Sequence, residues 1–316
     1  MAEIDIGDAA MAGVRTITRQ PFSVLVWGLL MAILVGLLFV IFGGGLVSTI
    51  GSMVAAGGRP TPEQILALIA GGFGFICLLV MGVQLLDLVI RAAAIRAELE
   101  PEAHNFAYMR MGAQEGWLLA TSFVFWLVLL GANLAMSIPL AIISAAAAVG
   151  SIAAGAQGSP DLGAAAGLVG LRLVGQLIIA AVSIWLWLRL SFGVVMTYRE
   201  RQFRLFESWE ATRGHVLRMF LTMLLVVLML LAIYIVFWIA CLVTLGVTIA
   251  GVAGHDPRAF FSQPPSVWLG TLTPLFVVFL IGIVITVGVG NAMIWGAVAR
   301  MWRQLNPDAD APRAFA

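Results

Sequence analysis

Residues 189–220, RLSFGVVMTYRERQFRLFESWEATRGHVLRMF, carry six of the seventeen arginines, at Arg189, Arg199, Arg201, Arg204, Arg213 and Arg218, between two apolar runs. Inside the stretch Leu205, Phe206, Trp209, Thr212, Val216 and Phe220 recur at three- and four-residue steps. Arg204, Glu207, Glu210 and Arg213 fall between them. That spacing predicts a helix with one apolar and one charged face, set between two membrane spans.

Working outward, 62% of the 316 residues are hydrophobic and only 10% are charged. A soluble domain carries about 25% charge, so the composition is that of a chain built for lipid. Every basic residue is arginine. Cys77 and Cys241 both lie in apolar runs, where a thiol is a small packing group, so no disulfide or metal framework is implied. The first twenty residues hold Glu3, Asp5, Asp8, Arg15 and Arg19 and no apolar core, which argues against a cleaved signal peptide.

A helical span needs about 20 mostly apolar residues. Six runs qualify: Phe22–Phe42, Ile65–Leu86, Trp117–Ile138, Gly167–Leu188, Met219–Leu242 and Trp268–Val289. In lipid, uninterrupted runs of this length are helices, because no water is present to satisfy an open backbone. Fourteen arginines fall on one side of these runs, and only Arg59, Arg172 and Arg258 on the other. The positive-inside rule then predicts both termini in the cytoplasm.

The even-numbered runs each follow a proline-bearing start signal: Thr61-Pro62-Glu63, Ser159-Pro160-Asp161 and Pro264-Pro265-Ser266. In the first two a hydroxyl caps, proline takes the first turn and an acid faces the positive helix end. The predicted fold is an all-α polytopic membrane protein, a single integral domain over 1–316. Its six spans form three hairpins, pseudo-repeats of about 1–100, 101–200 and 201–305. Each hairpin is preceded by a cytoplasmic amphipathic helix, apolar face on the lipid and arginines toward anionic headgroups. Residues 306–316 read as a disordered cytoplasmic tail. The outer loops, GGGLVSTIGSMVAAGGR (43–59) and SIAAGAQGSPDLGAAAG (151–167), are short and made of small residues.

Catalytic, cofactor and metal constellations are not legible. His104, His215 and His255 are isolated, with no HExxH, CxxC, GxSxG or Walker-type spacing. Gly288 and Ala292 make a small-xxx-small step for close helix approach, and Ala70–Gly74 reads the same way. Ionisable groups inside spans are the default functional hint, and they are few. Asp87 and Arg91 are spaced for a helical ion pair at the end of the second run. Asn133, Pro139, Gln176 and Asn291 make a candidate polar seam, with Pro139 expected to kink its helix.

The segment Ser208-Trp209-Glu210-Ala211-Thr212-Arg213-Gly214, entered from Arg189-Leu190-Ser191, resembles the YciC-like bacterial six-span inner-membrane family. It also resembles the related membrane domain attached to some glycerophosphodiester phosphodiesterases. Ala211 stands where leucine is usual and Val195 where proline is common. The resemblance implies a six-span membrane protein but not the phosphodiesterase, whose catalytic domain has no counterpart here.

The expectation is a non-enzymatic membrane protein whose interfacial helices engage anionic lipid headgroups or a protein partner, including a second copy, and no nucleic acid. Arg189, Arg199, Arg201, Arg204, Ser208, Trp209, Thr212, Arg213 and Gly214 form the candidate interface. The alternative is a transporter or permease for a small or lipidic solute, suggested by the repeats, Pro139 and the polar span residues.

Overall fold

The structure, a computed structural model, describes residues 3–43, 61–102, 106–109, 112–155, 162–253 and 265–307, with 45, 49 and 52. Among them there is no strand, and six helices are long and apolar enough to cross a membrane. The chain is an all-α polytopic membrane protein.

In chain order the helices are α1 (Ile6–Ala10), α2 (Ala12–Arg19), α3 (Pro21–Leu38, closing in a π turn at Phe39–Gly43) and α4 (Pro62–Leu99). A 3₁₀ turn at Phe106–Tyr108 precedes α5 (Ala113–Gly155) and α6 (Leu162–Glu200). Then come α7 (Ser208–Ala211), α8 (Val216–Ala253) and α9 (Pro265–Leu305). At the start of α4 the Thr61 hydroxyl accepts from the Gln64 amide, Gln64 reaches back to Thr61, and Pro62 takes the first turn. Ser159-Pro160-Asp161, Pro264, most of the 43–59 loop and the tail from 308 lie outside the described residues.

The helices overrun the apolar runs. At 1.5 Å per residue α4 is about 57 Å long and α9 about 62 Å, against about 30 Å of hydrocarbon. The reason is composition: Asp87–Leu99 (DLVIRAAAIRAEL) consists largely of good helix formers and carries no breaker, so the span continues past its apolar end. Arg91 and Arg96 therefore sit on α4, and Arg300 and Arg303 on α9, rather than in loops. The 151–167 segment is also mostly helix, forming the tips of α5 and α6.

Two compact units are resolved: residues 1–111 with 221–316, and residues 112–220. In the first, α9 packs chiefly on α3, α4 and α2. Glycine makes the approach possible. A methyl at Gly28 would lie 2.0 Å from the Val284 carbonyl oxygen, one at Gly13 2.2 Å from the Met293 Cα, and one at Gly288 2.4 Å from the Val24 carbonyl oxygen. Lipid tails are as apolar as leucine, so close backbone packing rather than water exclusion holds such helices together. By contrast Gly72 and Gly74 have nothing within 4 Å and Phe73 is exposed, so Ala70–Gly74 is not a packing step among the described residues.

On α3 the exposed face is Phe22, Leu25, Leu29, Ile33 and Leu37, and Trp27 and Met31 are buried opposite. On α4 large exposed apolar groups run from Ile65 to Leu85, and then Ile90, Ala92, Ala93, Ala94 and Ile95 are almost fully enclosed. The helix thus passes from a lipid-exposed band into a protein collar. In the second unit α5 and α6 form an antiparallel hairpin, where the Leu140 side chain occupies the space a methyl at Gly175 would need.

Of the predicted amphipathic elbows, the one ahead of α3 is the eight-residue α2, whose Gly13 backs onto Met293 of α9 and whose Thr16 hydroxyl lies 3.5 Å from Glu98 of α4. Ahead of α5 the described residues hold the 3₁₀ turn. Ahead of α8 stands only the four-residue α7.

Candidate functional site

The first unit gathers charged groups at its arginine-rich end. The Asp87 carboxylate on α4 accepts from Arg91 Nη2 at 2.8 Å, one turn on, and from Asn291 Nδ2 of α9 at 3.0 Å. Asn291 also donates to the Val287 carbonyl at 3.1 Å, and the Arg91 guanidinium lies 4.5 Å from the Trp295 ring centroid. The pair therefore ties α4 to α9 where the exposed apolar band ends. A carboxylate with two donors and a guanidinium stacked on indole is an interlocked structural contact.

Asp8 is the second node. Asp5 caps α1 by accepting from the Asp8 amide at 2.9 Å, and the Asp8 side chain meets α9. There Asp8 accepts from Arg300 Nε at 2.7 Å and Gln304 Nε2 at 2.8 Å, and pairs with Arg15 Nη1 at 2.7 Å. Burial alone would raise the Asp8 carboxyl, but hydrogen bonds from Arg300 and Arg15, and their charge, hold it below its ordinary value.

Arg96 and Trp27 are the residues that sequence reasoning missed. Arg96 is 2% exposed and donates to the Tyr108 carbonyl. Trp27, fully buried in α3, donates its indole N–H to the Ala107 carbonyl at 2.8 Å. Ala107 and Tyr108 both have left-handed φ, 48° and 59°, a conformation costing about 1 kcal/mol or more for a non-glycine residue. The two side chains pin this strained turn. The signal was present in principle: an indole N–H in an apolar run needs an acceptor, and an arginine among Ala92, Ala93, Ala94 and Ala97 has room for backbone to approach.

In the second unit, α6 runs on to Glu200, and the stretch 201–214 is a hook rather than a continuous helix. Arg201, at φ 56°, ends α6, and Gly214, at φ 84°, breaks the chain before α8. Leu205 is fully buried, packed with Phe125 and Leu190, and its Cα lies 2.7 Å from where a methyl on Gly193 would sit. Thr197 Oγ1 accepts from the Arg204 amide at 3.1 Å. Ser208 and Thr212, both fully buried, donate to the Leu205 and Ser208 carbonyls. The periodicity of Leu205–Phe220 is met by a four-residue helix, a break at Gly214 and the start of α8, which a helical-period count does not distinguish from a continuous helix.

The candidate interface residues divide accordingly. Arg189 donates to the Trp209 carbonyl at 3.0 Å and to Thr212 Oγ1 at 3.3 Å, with its guanidinium 5.1 Å from the Trp209 ring and 5.8 Å from Trp185. Arg204 is held by Glu200 at 2.9 Å and by Glu207. Arg201, Trp209, Arg213 and Gly214 are exposed and Arg199 is half-buried. Phe206 and Leu217 are exposed beside them, at 60% and 70%.

The candidate polar residues are distributed over both units. Asn133 donates to Ser183 Oγ at 3.1 Å, joining α5 to α6, whereas Gln176 is exposed and Asn291 belongs to the first unit. Pro139 is exposed, and α5 continues on both sides of it. Among the described residues no three His, Cys, Asp or Glu side chains converge as a metal site would require. No family model, no curated protein and no solved structure matches the chain.

Proposed function

We propose that this chain is a non-enzymatic membrane protein of the bacterial inner membrane, termini inside, whose 199–217 hook engages anionic phospholipid headgroups. The observation that carries the reading is the pairing, within residues 201–217, of exposed Phe206, Trp209 and Leu217 with exposed Arg201 and Arg213. Aromatic rings favour the headgroup level, and each arginine near an anionic surface contributes about 1 kcal/mol. Buried Leu205, Ser208 and Thr212 hold the turn in shape, so the exposed groups are presented by a fixed scaffold. The arginine bias of the same end supports the orientation, and the 208–214 segment supports kinship with YciC-like proteins.

The test is lipid selectivity in reconstituted membranes. Spin-labelled phosphatidylglycerol is expected to associate with the wild type several-fold more strongly than spin-labelled phosphatidylcholine. Replacing Arg199, Arg201 and Arg213 by glutamine should bring the ratio close to one. An unchanged ratio contradicts the proposal. Saturable solute uptake into proteoliposomes would replace it with the transporter reading.

A further inference from the structure

At the arginine-rich end of the first unit, α2, α4 and α9 enclose a cleft of about 230 Å³. Its lining includes Arg15, Arg19, Arg300 and Arg303, with Thr16 and one carboxylate, Glu98. Four guanidiniums against Glu98, and against Asp8 behind Arg15 and Arg300, leave the recess net positive. We propose that this cleft is a binding site for a phosphate group, carried by a phospholipid headgroup or by a small phosphorylated solute.

The geometry favours a built site over a chance surface cluster. Arg15 and Arg300 are both fixed by Asp8, which lies outside the lining, at 2.7 Å each. Arg300 Nη1 reaches Glu98 only at 4.0 Å, and Thr16 Oγ1 meets Glu98 Oε2 at 3.5 Å. Glu98 thus makes long contacts with its neighbours and leaves the recess positive. The volume suits the ligand: a water takes roughly 30 Å³, so a phosphate fits with attached groups to spare. Guanidinium forks match phosphate oxygens in pairs, and basic recesses between spans are suited to lipid phosphates.

The place of the cleft in the fold suits a lipid source in particular. Arg19 ends α2, and after Gln20 and Pro21 comes Phe22, 66% exposed and the first residue of the outward apolar face of α3. The arginine thus stands about one helical turn from the apolar band, near the level of headgroup phosphates. The site shares no residue with the hook, so either proposal can fail alone.

The test uses the full chain in detergent and in nanodiscs, with two ligand arms. One titrates inorganic phosphate against chloride at equal ionic strength and follows thermal stability. The other counts phosphatidylglycerol molecules retained in native mass spectrometry. The variant is R19Q/R303Q, which leaves Asp8, Arg15 and Arg300 in place, and R19Q alone serves if the pair does not fold. Binding in at least one arm is expected to weaken about tenfold or more, as for lost charge-assisted hydrogen bonds, while R172Q, exposed on α6 and outside both the cleft and the hook, leaves it unchanged. E98Q should tighten binding several-fold. A response to phosphate identifies a soluble ligand, and retention of phosphatidylglycerol alone identifies a lipid. Absence of binding in both arms, or binding that R19Q/R303Q and R19Q leave unchanged, overturns the site.

Discussion

The first-unit collar and the second-unit hook are built from the same residue types and use them in opposite ways. In the collar, Asp87, Arg91, Arg96, Asp8 and Arg300 bond to one another, to backbone carbonyls or to side chains of neighbouring helices. In the hook, Leu205, Ser208 and Thr212 supply the internal bonds and packing, while Arg201, Arg213, Phe206 and Trp209 are turned outward. Arginine count therefore does not indicate function in this chain. What matters is whether a guanidinium already has a fixed acceptor within the fold.

That contrast predicts a graded set of effects. The largest lies in the collar's helix contact. Gly28→Ala drives a methyl into the Val284 carbonyl and must push α3 from α9, so unfolding in mixed micelles should show a loss of about 3 kcal/mol or more. Gly131→Ala, with nothing within 4 Å, should change nothing. If the two behaved alike, the glycine contact would not be what holds the collar.

Next comes Arg96→Met, which leaves the Tyr108 carbonyl without its buried donor and should cost about 3 kcal/mol. Trp27→Phe removes one indole hydrogen bond from the same turn and should cost about 1–2 kcal/mol in the same assay. Equal stability of both variants to the wild type would show that the strained 106–108 turn needs no pins.

A smaller effect is set by pH. The Asp8 carboxyl is held below its ordinary value of 3.8 in the folded chain. Its contribution is therefore fully present above that value and is lost as pH falls through the lowered one. A nitroxide at position 6 should gain mobility only in that acid window, and the Asp8→Asn variant should show the same mobility at every pH. Smallest of all, Arg204→Gln on the hook should leave stability nearly unchanged, because its partners are solvent-accessible acids, Glu200 half-buried and Glu207 exposed.

The membrane architecture was readable because a 20-residue apolar run has few physical alternatives in lipid. The Asp87–Arg91 pair was readable from its one-turn spacing. The ends of the helices were not, since Ala-rich charged segments such as Asp87–Leu99 continue a helix as readily as they leave one. The hook was misread for a different reason. Leu205 is apolar because it plugs against Gly193, and Phe206 is apolar while pointing outward, so adjacent positions with opposite destinations reproduce a helical stripe. Arg96 and Trp27 were legible only as donors in need of acceptors, because those acceptors are main-chain carbonyls on another segment and carry no sequence mark.

The central claim, that the hook sits at the headgroup level, is tested most directly by depth. Nitroxides placed singly at Phe206, Trp209 and Arg213 in the reconstituted protein can be located by power saturation with oxygen and a water-soluble nickel chelate. Labels at 206 and 209 are expected among the headgroups, with the label at 213 nearer water. Full access of all three to the nickel chelate, or burial of all three in hydrocarbon, would contradict it.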